Sequence, residues 1–342
     1  MAKKQSLLVI PLFIAHQGCP HRCVFCNQES ITGRTEAASR PVRAAEVAET
    51  IDDWLARSGG RPGRSVQVAF YGGSFTCLER GYQEELLAAV RPYLDDGRVQ
   101  AIRLSTRPDA IDSETVSFLN EHGVGVVELG VQAMDDRILE KSGRGHTVAD
   151  VKSAILALQA GQMRVGGQLM IGLPGETTIT ALAGARALAA LEPDFVRIYP
   201  TLVIRGSVLA HRYEAGEYKP YSLLQAVALA ARLKQIFDQH QIPVVRMGLQ
   251  PSSSLEKDLV AGPYHPAFGE LVLARIFFNR VRSLLADSPV GAARTLSIAS
   301  ADLSIFRGQQ SRSVNRLAAL GLSEGMELHL DPDQSRHTVR LI

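Results

Sequence analysis

Short apolar runs alternate with longer amphipathic runs along most of this chain, and that alternation restricts the fold more than any other feature. Leu7–Ile14, Val66–Tyr71, Ala101–Ser105, Gly125–Val131, Arg164–Ile171 and Phe195–Tyr199 have the length and composition of strands. Arg43–Ala56, Tyr82–Tyr93, Ser113–Glu121, Val148–Ala160, Ile179–Leu191 and Leu223–Gln239 follow them with a helical period. Six strand-then-helix units in a row predict an α/β fold with a parallel sheet and helices outside it. The strands read as continuous apolar runs, as sheets buried on both faces require. The expected architecture is a partial (β/α)6 barrel within residues 1–250 and a small C-terminal α+β appendage over 251–342. For the appendage the pattern predicts helices at Phe268–Ala286 and Ser311–Leu320, with short strands at Leu296–Ile298 and Glu327–Leu330.

Composition adds exclusions. Apolar residues make up 46% and charged residues 21% of 342, the profile of a globular protein in water. A formal charge of +2 is too mild to argue for nucleic acid by itself. Lys3 and Lys4 before LLVIPLFIA imitate a secretion signal, but Pro11 interrupts the run, so a buried first strand is expected. No apolar run reaches the ~18–20 residues of a membrane span. Four cysteines are no disulfide scaffold, and a reducing, cytoplasmic location with no membrane contact is expected.

Polar and glycine-rich segments gather where the strands end: GGSFT, STRPD, ELGVQ, GLPGET and YPTLV. In barrel-like α/β folds that face carries the active site. Just after the first strand lie Cys19, Cys23 and Cys26, spaced C-x3-C-x2-C. Three thiolates so close can hold three irons of a [4Fe–4S] cubane, with no fourth cysteine near in sequence for the last iron. The open iron can take the amino and carboxylate groups of S-adenosylmethionine, whose reductive cleavage gives a 5′-deoxyadenosyl radical. Structural zinc is the alternative, but it prefers two separated ligand pairs, and here only His16 or His21 could complete a set. Phe25, before the last cysteine, is placed to pack against an adenine.

The chain resembles the radical S-adenosylmethionine superfamily, and more narrowly the radical domain of the catalytic subunit of Elongator and its bacterial relatives. The resemblance is carried by HQGCPHRCVFCNQ (16–28), YGGSFT (71–76), STRPD (105–109), VELGVQAMDDRILEKSGRGHT (127–147), MIGLPGE (170–176) and IYPTLVIRGSVL (198–209). It implies that the backbone of Gly72 and Gly73 meets the methionine amino group, as glycine allows. It implies that Ser105 and Arg107 lie near the methionine carboxylate and ribose. Glu128 and Gln132 flank the end of the fourth strand, where one is expected to reach ribose or substrate; the alternative for Glu128 is a buried ion pair to Arg107. Leu173 to Glu176 match a loop that packs on adenine, with Glu176 starting the next helix. Reduced flavodoxin or ferredoxin is the implied electron source, and tRNA the implied substrate class.

There are departures. Too few residues follow the barrel for the acetyltransferase domain of Elongator, and no R/Q-x-x-G-x-G/A loop for coenzyme A is present. A radical enzyme acting on a small molecule, of the porphyrinogen-dehydrogenase type, and a non-catalytic iron–sulfur module are the competing readings. Tyr199, Arg205 and His211 follow the sixth strand where substrate would sit; Tyr199 and Gln132 are the candidate catalytic residues. Cys77 reads as a small buried residue or as a relay near the cluster, and His265 as a turn cap. Arg307, Arg312 and Arg316, with Gln309, Gln310 and Asn315, form either a phosphate-contacting patch or a solvated helix face. Trp54 is the only tryptophan, so no base-stacking platform is evident.

Overall fold

The computed structural model describes residues 7–14, 19–27, 40–58, 64–287 and 294–342. Lys3, Lys4, His16 and most of the expected 58–64 loop lie outside the described residues. The strands are β1 (Leu7–Phe13), β2 (Ser65–Tyr71), β3 (Ala101–Thr106), β4 (Val124–Gln132), β5 (Arg164–Ile171), β6 (Phe195–Pro200), β7 (Val203–Ile204), β8 (Val244–Met247), β9 (Leu259–Ala261), β10 (Arg294–Ala299), β11 (Met326–Asp331) and β12 (Val339–Leu341). The helices are α1 (Ala44–Ser58), α2 (Arg80–Asp95), α3 (Ser113–Glu121), α4 (Asp136–Lys141), α5 (Val148–Ala160), α6 (Thr178–Ala189), α7 (Val208–Glu214), α8 (Leu223–Gln239), α9 (Ser253–Asp258), α10 (Phe268–Ala286), α11 (Leu303–Arg307) and α12 (Arg312–Ala319).

The main sheet has the order β1-β2-β3-β4-β5-β6-β8, with every neighbouring pair parallel. It holds seven strands where six were expected. The seventh, β8, has four residues and no fully buried one, so neither its length nor its pattern marked it as a strand. Capping explains where several helices begin. Thr147, Thr177 and Ser222 each accept a hydrogen bond from the backbone N–H three residues on, and the side chain there answers the cap.

The convex face is apolar: Val68, Phe70, Ile102, Leu104, Val127, Leu129, Val196 and Ile198 are wholly enclosed beneath the helices. Each such side chain contributes about 1.5–3 kcal/mol by leaving water. The concave face corrects the reading of continuous apolar strands. Gln67, Arg103, Glu128, Gln168 and Arg197 alternate with that apolar set and hydrogen-bond among themselves or to neighbouring polar groups. Curvature follows from one contact: Arg197 on β6 donates from Nη2 to Tyr71 Oη on β2 at 3.2 Å. Those strands are four positions apart, about 19 Å in a flat sheet, and the sheet curls to bring them together.

Beyond the barrel, β10 pairs in parallel with β11 and antiparallel with β12. Phe277, Phe278, Val281, Leu285, Leu296, Ile298, Phe306 and Leu317 build a second core there. α10 serves both units, because Phe268, Val272 and Ile276 join the barrel core while its later turns enter the second. β9 pairs back with β7, so residues just past 250 also pack on the barrel. Among the described residues no helix is long and apolar enough to cross a membrane.

Candidate active site

The cysteine loop leaves β1 at the C-terminal edge of the sheet, where the Ile14 amide bonds to the Tyr71 carbonyl at 2.8 Å. Val24 pins the loop from both sides. Its amide donates to the Ser142 carbonyl at 3.0 Å, and its carbonyl accepts from the Leu209 amide at 2.7 Å. The Cys26 amide closes a turn onto the Cys23 carbonyl at 3.0 Å. Cys19 is exposed and Cys23 and Cys26 are half-buried. Among the described residues no three His, Cys, Asp or Glu side chains converge on a single-ion centre. Three thiolates on one short loop are a donor set suited to a cluster, whose ligands sit on separate irons.

The segment Ser142–His146 embraces this loop. Gly143 and Gly145 have φ of +65° and +70°. A Cβ on Gly145 would lie 2.4 Å from the His21 ring, and one on Gly143 would lie 3.2 Å from the Arg22 carbonyl oxygen. Between these glycines stands Arg144, only 7% exposed. Its Nη1 donates to Cys23 Sγ at 3.0 Å, its Nη2 donates to the Gly130 carbonyl at 2.8 Å, and its Nε is buried without a partner. Gly130 makes room for it, since a Cβ there would come within 3.0 Å of Nη2. Sequence reading quoted this segment without singling out Arg144; the signal available was an arginine set between two glycines.

Gly72 turns away from β2 at φ +91°, a conformation that suits glycine, whereas Gly73 does not need one. Ser74 ties this turn to the next strand: its hydroxyl lies 3.1 Å from Thr106 Oγ1 and accepts from the Arg107 amide at 3.2 Å. Cys77 lies half-buried just beyond, where its sulfur accepts from Ser74 Oγ at 3.3 Å. Arg107 is buried and grips Asp109 through Nε and Nη2, each at 2.9 Å, and its Nη2 also donates to the Arg144 carbonyl at 2.6 Å. Its guanidinium is therefore turned to its own loop and to the segment that carries Arg144.

Glu128 does not pair with Arg107. It accepts from Arg103 Nη1 at 2.8 Å, from Arg197 Nη2 at 2.9 Å and from Tyr71 Oη at 2.9 Å. Ser105, its register partner on β3, is half-buried beside it. Burial, reinforced by the Glu128 charge, pushes the Tyr71 phenol up to about 12. Burial works against the Arg197 charge, yet Glu128, Tyr199 and Tyr71 together more than offset it and hold the guanidinium above its ordinary range. Arg197 Nη1 also donates to Tyr199 Oη at 3.3 Å, so Tyr199 stands at the rim of this network. Gln132 ends β4 at φ +65°, where the ladder to β5 shifts register, and accepts from Gln168 Nε2 at 3.3 Å. A left-handed non-glycine residue there is held by its surroundings.

Phe25 is half-buried between two apolar groups, one with Leu173, Met170 and Ile138 and one with Val24, Val203 and Leu209. Leu173 is 2% exposed, so it supports Phe25 from below. Glu176 does not open α6, because Thr177 is its cap. It turns back instead, accepting from the Gly172 amide at 2.5 Å, while Tyr218 Oη donates to the Gly172 carbonyl at 2.6 Å. Burial pushes the Glu176 carboxyl up to about 8, against the lowering effect of its bonds to the Gly172 and Leu173 amides. Arg205 and His211 are exposed and lie outside the buried network. His265 caps its turn, accepting from the Ala267 amide at 3.0 Å.

Comparison with known proteins matches residues 13–181 to the radical SAM superfamily and residues 193–277 to the radical SAM C-terminal domain. An uncharacterized protein of Methanocaldococcus jannaschii is 28% identical over 82% of this chain and 85% of its own length. The tRNA uridine(34) acetyltransferase of the same organism is 27% identical over 68% of this chain and 49% of its own length. The chain thus spans about half the length of that relative. Among solved structures, the archaeal Methanocaldococcus infernus Elp3 superposes with a TM-score of 0.61 at 23% identity, covering 80% of this chain and 63% of that one, which shows a shared fold.

Proposed function

This chain is a member of the radical SAM superfamily and a radical SAM enzyme, and we propose that its substrate is an RNA, most specifically a tRNA. The family uses a [4Fe–4S] cluster and S-adenosylmethionine, which together supply one-electron cleavage to a 5′-deoxyadenosyl radical. Cys19, Cys23 and Cys26 are the residues that would hold the cluster. Arg144 carries this reading: a buried guanidinium against Cys23, with one nitrogen unpartnered, meets no carboxylate among the described residues and suits that of the methionine moiety. Arg107, committed to Asp109, acts through Arg144 by holding its carbonyl. Gly72 and Gly73 would offer backbone to the amino group, and Phe25, backed by Leu173, an apolar face to the adenine. Ser105 and Gln132 would border the ribose.

Glu128 is fully engaged by Arg103, Arg197 and Tyr71, so its part is to set the polar floor of the barrel. Tyr199 and Gln132, at the rim of that floor, would meet substrate. The tRNA assignment rests on a named tRNA-modifying relative that matches about two thirds of this chain. The acetyltransferase half of that name is not carried over, since the chain spans about half of that protein. A reduced flavodoxin or ferredoxin would supply the electron.

The test is anaerobic reconstitution with iron and sulfide, reduction, and assay of 5′-deoxyadenosine, with tRNA nucleosides compared between cells with and without the protein. An unmodified nucleoside accumulating without the protein supports the reading. Unchanged nucleosides together with an altered small metabolite would replace RNA by a small-molecule substrate.

A further inference from the structure

The small C-terminal unit carries arginines that the barrel chemistry does not use. Arg275 and Arg282 lie on α10 with Phe278 between them in helical spacing, so the three share one side of that helix. Arg312 and Arg316 lie four apart on α12, which packs against α10. Arg316 stacks its guanidinium 4.9 Å from the centre of the Phe278 ring. Burial, then the charges of Arg316 and Arg282, push the Arg275 guanidinium below its ordinary range. None of these four meets a carboxylate within ion-pair distance among the described residues. Elsewhere Arg91, Arg98, Arg103, Arg107, Arg197 and Arg336 each do. Like charges gathered without a counter-charge raise the energy of the free protein, and an external anion removes that cost.

The placement is as informative as the charge. Phe268 opens α10 against Gly248, just past the end of β8, at the edge of the sheet that carries the cysteine loop. Arg275 is seven residues on, about 10 Å further along the helix axis. Gln309, in the turn before α12, contacts His265, in the turn before α10, at 3.3 Å. The cluster therefore starts near the barrel mouth and runs away from it. No lysine follows Lys257. A surface built of arginine alone favours planar, two-point recognition of phosphate.

We infer that Arg275, Arg282, Arg312 and Arg316 form a track for the phosphate backbone of RNA, positioning a strand whose target nucleotide enters the barrel. The inference rests on the RNA reading above. It gives the C-terminal unit a binding role through backbone charge, without base stacking.

The test measures binding of unfractionated tRNA to the reconstituted holoenzyme as a function of salt. R275Q/R282Q/R312Q/R316Q should weaken binding tenfold or more and flatten the slope of log Kd against log salt by about 2–4, one step per lost phosphate contact. R275Q/R282Q, which keeps the Arg316–Phe278 stack, should lose about half of that slope. Melting temperature and cluster absorbance should match the parent and so verify the fold. Equal affinity and slope in parent and quadruple variant would overturn the track and leave the RNA reading intact. Absence of tRNA binding by the parent would overturn both. Unchanged tRNA affinity with lost binding of reduced flavodoxin would also overturn the track, assigning the surface to an acidic protein.

Discussion

Arg144 brings Nη1 to 3.0 Å from Sγ of Cys23, which joins the cysteine loop to a segment 121 residues away through a buried cation. The same guanidinium holds the Gly130 carbonyl, and Arg107 holds the Arg144 carbonyl. The cation is fixed from three directions while its Nε stays unpartnered. Arg144→Met is therefore expected to weaken S-adenosylmethionine binding about 10- to 100-fold, the worth of one charged hydrogen-bonded contact. Iron content should stay near that of the parent, because the three cysteines remain. Equilibrium binding and iron analysis of the same reconstituted sample check this; tight binding by the variant would remove Arg144 from the site.

The approach of Ser142–His146 to the cysteine loop depends on Gly145. Alanine there would hold a left-handed backbone and place its Cβ 2.4 Å from the His21 ring. Gly145→Ala should cost about 1–3 kcal/mol and lower iron incorporation by displacing the loop. Gly143→Ala, whose Cβ would stop 3.2 Å from the Arg22 carbonyl oxygen, should do less. Iron per protein after reconstitution and the melting temperature rank the two variants.

The barrel was legible in the sequence because the convex-face strand positions are apolar and capped, helix-length runs separate the strands. Val148–Ala160, Arg164–Ile171 and Leu223–Gln239 were read to the residue. What escaped reading had a physical cause. β8 is short and half-exposed, and β7, β9 and β12 have two or three residues, below the length at which alternation can show. The polar concave face was read as apolar because one charged residue inside a run of valine and leucine looks like an exception, as at Arg103, Glu128 and Arg197. Its partners lie on other strands, and only the curl of the sheet brings them together. For the same reason the alternative reading of Glu128, a buried ion pair, points to Arg107 in the nearby motif, whereas Arg103 and Arg197 are its partners in space.

That triad predicts its own energetics. Glu128→Gln would leave two arginines on the concave floor without their shared carboxylate, and breaking such a buried pair costs about 3–5 kcal/mol. Removing Arg103 as well should recover part of the loss, since the uncompensated charge goes with it. Urea unfolding of Glu128→Gln, Arg103→Gln and the double variant tests this, and strictly additive losses would show that Glu128 and Arg103 are not coupled.

The last prediction concerns pH. The Glu176 carboxyl, enclosed near Tyr218 and Tyr221, is pushed up to about 8 from an ordinary 4.5. Between those values the folded state holds a proton that the unfolded state has released, so stability falls as pH rises through the window. Below 4.5 both states are protonated and the group has no effect; above about 8 both are ionised and the full cost is present. Glu176→Gln keeps an acceptor for the Gly172 amide and removes the titration. Its melting temperature should match the parent near pH 4.5 and exceed it by a margin that widens up to about pH 8 and then levels. The comparison is best made before cluster reconstitution, where metal loss cannot imitate the trend; a margin constant with pH would show that Glu176 ionises normally.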